Sequence, residues 1–203
     1  NGLSAQSQQT NLVVNASKSI TKIQPTMYGV FFEDINFAAD GGLYAEMVKN
    51  RSFEFETPLM GWLQPNSNKH SYNNESGIAT TIKVLENKNN PSFCRIVINN
   101  DKGYSIINEG YRGMGVKKDA KYNLSLKAAN PNGTIKKIII QLIDKNQKVI
   151  GETSIVPTSN DWKNYNTQLI ATQTEAKAKL KISFELSTYP LWKKNYLDSL
   201  VFG

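Results

Sequence analysis

Leu180-Lys181-Ile182-Ser183-Phe184-Glu185-Leu186 alternates apolar and polar residues without a break. A strand turns successive side chains to opposite faces, so this stretch offers Leu180, Ile182, Phe184 and Leu186 to one side and Lys181, Ser183 and Glu185 to the other. A helix of period 3.6 would scatter the same apolar residues around its axis, so the pattern predicts a half-buried strand. Working outward, short segments of the same texture recur at 81–85, 93–98, 104–107, 122–128, 135–143, 149–155, 165–170 and 197–202, with turn residues between them. Asp144-Lys145-Asn146-Gln147 separates two of these runs and reads as a hairpin turn. Many short strands with regular turns and no helical period among them predict a β-sandwich of the jelly-roll type over residues 77–203.

The chain ahead of residue 77 has another texture. Residues 1–10 are polar and are expected to be disordered. They contain no hydrophobic signal core, and a polar start of this kind fits what remains after a signal peptide is removed, hence an exported protein (secreted, periplasmic or at the cell surface). Residues 11–62 hold a short strand at 12–14 and a buried strand at 26–32, where Met27, Tyr28, Val30, Phe31 and Phe32 surround Gly29. A polar turn, Glu33-Asp34-Ile35-Asn36, leads to a helix candidate. Asp40 can cap it, Leu43, Tyr44, Met47 and Val48 share one face, and Asn50 is a stop. This spells one strand–helix unit. Residues 63–76, with Pro65 and many Asn and Ser, read as a linker. A single strand–helix unit cannot bury both its faces. It either packs on the sandwich or belongs to a longer chain, and the second is the expectation. Apolar residues such as Phe31, Phe32, Phe53 and Phe55 would otherwise favour pairing with a second copy, a homo-oligomer contact through the N-terminal segment.

Composition removes several function classes. In 203 residues, 39% are apolar and none of the runs approaches the roughly 18 apolar residues of a membrane helix, so no membrane insertion is expected. The net charge of +7 invites a nucleic-acid reading. Yet only Arg51, Arg95 and Arg112 among the 24 basic residues are arginine, the usual fork for bases and phosphates. Lysines such as Lys177, Lys179 and Lys181 alternate with apolar residues, which places them on the wet side of a sheet. No nucleic-acid partner is expected. The single cysteine, Cys94, sits inside an apolar strand, and the single histidine, His70, in a polar stretch. One of each argues against an intramolecular disulfide, a zinc site and a Cys/His dyad.

Two stretches carry a family resemblance. Met27-Tyr28-Gly29-Val30-Phe31-Phe32-Glu33-Asp34-Ile35-Asn36, followed by Asp40-Gly41-Gly42-Leu43-Tyr44-Ala45-Glu46-Met47-Val48-Lys49-Asn50-Arg51-Ser52-Phe53-Glu54, resembles the opening of family 51 α-L-arabinofuranosidases. Asn108 to Val116 and Tyr196 to Phe202 look like the jelly-roll domain, similar to carbohydrate-binding modules, inserted near the start of some members. The resemblance implies that residues 11–62 supply the first strand and helix of an incomplete (β/α)8 catalytic barrel. It implies a retaining hydrolase of terminal α-L-arabinofuranosyl groups on plant arabinan or arabinoxylan, needing no cofactor. It also implies that Glu33, at the C-terminal end of a barrel strand where ligands gather, positions the sugar. Retention requires two carboxyl groups about 5–5.5 Å apart. The family places both on later barrel strands, so the chain alone is expected to be inactive. Asn108-Glu109 imitates the family's Asn–Glu acid/base pair, but it lies among short β segments and is not read as catalytic.

Sugars are held by aromatic faces flanked by polar groups. The aromatic candidates are Tyr104, Tyr111, Trp162, Tyr165, Tyr189 and Trp192, most of which can equally pack the sandwich. Tyr104, Tyr111 with Arg112, and Trp192 form the preferred carbohydrate-binding surface. Asp198 stands without an acidic cluster, so no metal site is assigned.

Overall fold

The computed structural model describes residues 17, 22, 24, 46–64, 77–84, 91–98, 103–187 and 198–202. The chain divides into two compact units, Asn1–Glu33 and Asp34–Gly203. The described residues of the second unit are all-β. Its strands are β1 (Trp62–Leu63), β2 (Gly77–Lys83), β3 (Ser92–Ile98), β4 (Tyr104–Asn108), β5 (Met114–Val116), β6 (Lys121–Ala129), β7 (Ile135–Ile143), β8 (Val149–Ile155), β9 (Lys163–Ile170), β10 (Glu175–Leu186) and β11 (Asp198–Phe202). They form a jelly-roll-type sandwich. One sheet runs β1-β4-β10-β7-β8, with β5 also on β10, and the other runs β2-β3-β11-β6-β9. All pairings are antiparallel.

β10 organises the first sheet. Its alternation sends Ala178, Leu180, Ile182 and Phe184 inward, where each is buried, and leaves Lys181 and Ser183 opposite. Along one edge it pairs with β4 through Leu180↔Asn108 and Phe184↔Tyr104, and along the other with β7 through Ile182↔Ile140. Short β5 reaches β10 only because Gly113 takes a φ of +89°, and a Cβ there would lie 2.7 Å from the Lys177 Cα. Facing this layer, β3 contributes Cys94, Ile96 and Ile98, and β6 and β9 contribute Ala128 and Leu169. The expected turn at Asp144 is present. Its carboxylate Oδ1 accepts from the backbone N–H of Asn146 (2.8 Å) and Lys148 (2.9 Å), and Gln147 adopts a φ of +64°.

The strand–helix unit is corrected where it can be seen. The described end of the expected helix, 46–50, is a bend followed by turns, and no helix occurs among the described residues. Asn50 and Phe53 hold left-handed φ values of 54° and 57°, which a right-handed helix cannot propagate. The strand at 26–32, with Asp40 and the rest of 25–45, lies outside the described residues, as do 1–10. Residues 46–64 instead form a knot of turns against the sandwich. The Asn50 carbonyl accepts from Phe53 N–H (3.2 Å) and from the Trp62 indole (3.1 Å). Its side-chain oxygen accepts from Phe55 N–H (3.2 Å). Phe53 stacks on Trp62 with ring centroids 5.5 Å apart, and both are buried. A bulky residue in the left-handed region costs about 1–3 kcal/mol; burying an aromatic ring offsets a cost of that size. The linker expected over 63–76 starts inside the sheet, with Leu63 in β1 and Gln64 bonded to Ala79; 65–76 lie outside the described residues.

Truncating Phe184 to Ala should remove about 3–5 kcal/mol of stability, because a wholly buried ring between the layers cannot be replaced by collapse. Lys181→Ala, three residues away on the outer face of the same strand, should change stability by less than about 0.5 kcal/mol. Urea unfolding midpoints at constant slope measure both.

Candidate functional site

Of the four residues of the sequence-predicted surface, Tyr104, Tyr111 and Arg112 are among the described residues. Tyr104 is 5% exposed, and its hydroxyl donates to the Gln64 side-chain oxygen. Gln64 in turn bridges the backbone N–H and C=O of Ala79. Burial pushes the Tyr104 phenol well above its ordinary range, and its ring offers no outer face to a ligand. Tyr111 is half-buried and Arg112 exposed in the turn after β4. Trp192 and Glu33 lie outside the described residues.

Asn108 and Glu109 have structural work. Asn108 is fully buried, and Leu180 opposite it fixes its place in the sheet. Its Oδ1 accepts from Lys49 N–H (3.1 Å) and Gly110 N–H (3.0 Å), and its Nδ2 donates to the Lys49 carbonyl (2.9 Å). One amide thereby clamps a residue 59 positions earlier in the chain. Glu109 donates its N–H to the Gly61 carbonyl (3.0 Å), and its carboxylate stands 3.9 Å from the Lys49 ammonium. The pair fastens residues 46–64 to the sandwich.

Two further surfaces emerge. The first is a cavity of about 460 Å³ between the layers. Met114, Leu142, Leu180 and Ile182 line it from one sheet and Tyr122, Leu124, Leu126 and Leu169 from the other, with Glu46 and Arg51 in its wall. Glu46 and Arg51 pair at 3.3 Å. The second is the outer face of β6 and β9. Register places Lys121 opposite Ile170, Asn123 opposite Gln168, Ser125 opposite Asn166 and Lys127 opposite Asn164, and all eight are exposed. The Gln168 amide donates to the Asn123 side-chain oxygen (2.9 Å). At one end stands Trp162, 42% exposed, edge-on to Phe93 with centroids 5.5 Å apart, and with the Lys127 ammonium 5.9 Å from its ring centre. Sequence reading considered Trp162 but missed the amide row beside it. The alternation Lys121-Tyr122-Asn123-Leu124-Ser125-Leu126-Lys127 contained the signal, once the sheet partner was known.

Cys94 is buried, and desolvation pushes its thiol up to about 12 from 9.0, so it is a core group without nucleophilic use. Among the described residues no group of three or more His, Cys, Asp or Glu is placed to hold a metal ion.

The relatives of this chain share one activity. An extracellular exo-α-L-arabinofuranosidase of Streptomyces chartreusis is 31% identical over 181 residues, covering 85% of this chain and 20% of that protein. α-L-Arabinofuranosidase 1 of Arabidopsis thaliana is 28% identical over 172 residues, covering 79% of this chain and 25% of that protein. The chain is homologous to the α-L-arabinofuranosidases. The chain spans about a fifth to a quarter of the length of these curated relatives. An arabinose-bound family 51 α-L-arabinofuranosidase of known structure has the same fold over 87% of this chain and 28% of its own, with a TM-score of 0.67 at 22% identity. The active domain of a bacteriophage CBA120 tailspike overlaps in fold alone, with a TM-score of 0.51 at 13% identity over 77% of this chain and 20% of that one. No family model matches the chain.

Asn108→Ala should cost about 2–4 kcal/mol, since it strands the part-buried Lys49 N–H and C=O together with the buried Gly110 N–H. Thermal unfolding checks this, and Asn108→Asp should not rescue it, because a carboxylate cannot donate to the Lys49 carbonyl. Stability should also fall on alkalinisation. The folded thiol of Cys94 titrates above the unfolded one, so its contribution is complete below about pH 9 and is lost as pH rises towards about 12. Unfolding midpoints of the wild type and Cys94→Ala, compared across that window, should fall less steeply with pH in the variant.

Proposed function

We propose that this chain is the N-terminal portion of an exported, retaining α-L-arabinofuranosidase that removes terminal α-L-arabinofuranosyl groups from arabinan or arabinoxylan. The observation that carries this is the 31% identity to the extracellular Streptomyces enzyme along 85% of the chain. In this reading the chain supplies two things. Glu33, placed by sequence directly after an apolar strand, accepts hydrogen bonds from the sugar hydroxyls. The β-sandwich adds a carbohydrate-binding domain beside the catalytic barrel. The acid/base and nucleophile lie elsewhere in the protein. Asn108-Glu109 does not stand in for them: its amide is consumed by backbone groups, and its carboxylate faces Lys49. An alternative is that the sandwich acts as a carbohydrate-binding module in its own right or as a silent spacer. The exposed Trp162 beside a row of amides favours sugar contact over the spacer.

The purified 203-residue chain should show no turnover of 4-nitrophenyl α-L-arabinofuranoside above the buffer rate, while the polypeptide extended through the later barrel strands should hydrolyse it. Specific turnover by the short chain would overturn the assignment of the catalytic pair to other parts of the protein.

A further inference from the structure

The two outer faces of the sandwich differ in charge. On the β10 sheet, carboxylates are interspersed with the cations and engaged: Glu152 accepts from Gln141 (2.6 Å) and Glu185 pairs with Lys136 (3.2 Å). On the other sheet, the register positions of β2, β3, β6 and β9 that share the outer face hold no acidic residue. They hold Arg95, Lys121 and Lys127, all exposed, and no ion pair joins these three to a carboxylate among the described residues. Exposed cations with no carboxylate among them give this face a positive potential that an anionic ligand can meet.

The uncharged residues between the cations specify what kind of anion. Asn123 and Gln168 already share one hydrogen bond across the strands, which orients both amides and leaves each with donor and acceptor capacity towards solvent. Ser125 and Asn166 continue that row. Side chains that both donate and accept suit hydroxyls, which do the same. Trp162 adds a rigid apolar plate, braced edge-on by Phe93. From Lys121 to Lys127 the face runs about 20 Å along β6, long enough for a chain of several sugar rings. A phosphodiester polymer would be served better by arginine forks than by amides.

We propose that the outer face of β6 and β9 binds a polysaccharide bearing carboxylate groups, with Lys121, Lys127 and Arg95 meeting its acid groups and Asn123, Gln168 and Trp162 meeting its hydroxyls and ring faces. This deepens, and rests on, the reading of the sandwich as a carbohydrate-binding domain. It assigns the domain a different ligand from the neutral arabinosyl groups: a polymer of uronic-acid residues. Such binding is salt-sensitive, since the cations are exposed and act over a Debye length of about 10 Å at 0.1 M salt.

Affinity electrophoresis of the 203-residue chain tests this in gels containing polygalacturonate, linear arabinan or double-stranded DNA. Retardation is expected in polygalacturonate at low salt. Lys121→Gln/Lys127→Gln and Trp162→Ala should each weaken it about tenfold, a loss of roughly 1.4 kcal/mol. Lys179→Gln/Lys181→Gln, which removes the same charge from the opposite sheet, should leave it unchanged. Thermal unfolding of each variant at the wild-type midpoint establishes that the fold is intact. Equal weakening by the two lysine pairs, or equal retardation in DNA, would overturn the proposal, because the effect would then be general attraction of a basic protein. Retardation in arabinan alone would overturn it while leaving the carbohydrate-binding reading in place. No retardation in either polysaccharide would overturn both.

Discussion

The structure depends on the inward face of β10. Ala178, Leu180, Ile182 and Phe184 are buried there in a strand that pairs on both edges. Slipping it by one residue would exchange that row for lysines, serine and glutamate, so the hydrophobic term fixes the register. Register then positions polar groups the hydrophobic effect alone could not. Leu180 opposite Asn108 places an amide at a buried site where it can be satisfied only by Lys49 and Gly110. The turns at 46–64, with bulky residues in left-handed conformations, are held by that amide and by the stacked rings of Phe53 and Trp62. A chain of dependence thus runs from an alternating heptapeptide to a loop more than a hundred residues away.

Each of the nine strands expected from alternation and turn residues overlaps an observed one; β2 runs Gly77–Lys83 where 81–85 is expected, and several others are one to five residues longer. Alternation reports a half-buried strand directly, which is why these were legible. β1 and β5 were not. Trp62–Leu63 is two residues long, and Met114–Val116 carries a glycine at its centre, so neither has a period to detect. The apolar residues Met47 and Val48 were spaced for a helix, yet 46–50 form turns. Tertiary bonds to Asn108 and the left-handed Asn50 outweigh a weak local preference there. Glu33 and the strand before it lie outside the described residues, so the strand–helix reading of 26–45 stands on sequence alone.

Aromatic side chains pointed to sugar contact but could not be sorted by type. Tyr104 and Trp162 are alike as residues; one is sealed under Gln64, and the other stands open beside Lys127. What separates them is strand register across the sheet, a long-range property. The same register gathers Asn123, Gln168, Ser125 and Asn166 on one face, four residues that look like ordinary solvated positions in sequence. Homology to arabinofuranosidases and the charge contrast between the two faces therefore supply different information, the one about ancestry and the other about the proposed ligand-binding face.

Native-state hydrogen exchange tests the central dependence most directly. If Asn108 and the β4–β10 register lock residues 46–64 to the sandwich, the amides of Lys49 and Glu109 will exchange only through the opening that also exposes Ile182 and Phe184, with matching protection. Exchange of Lys49 and Glu109 at the rate of an open loop, while β10 stays protected, would contradict the account.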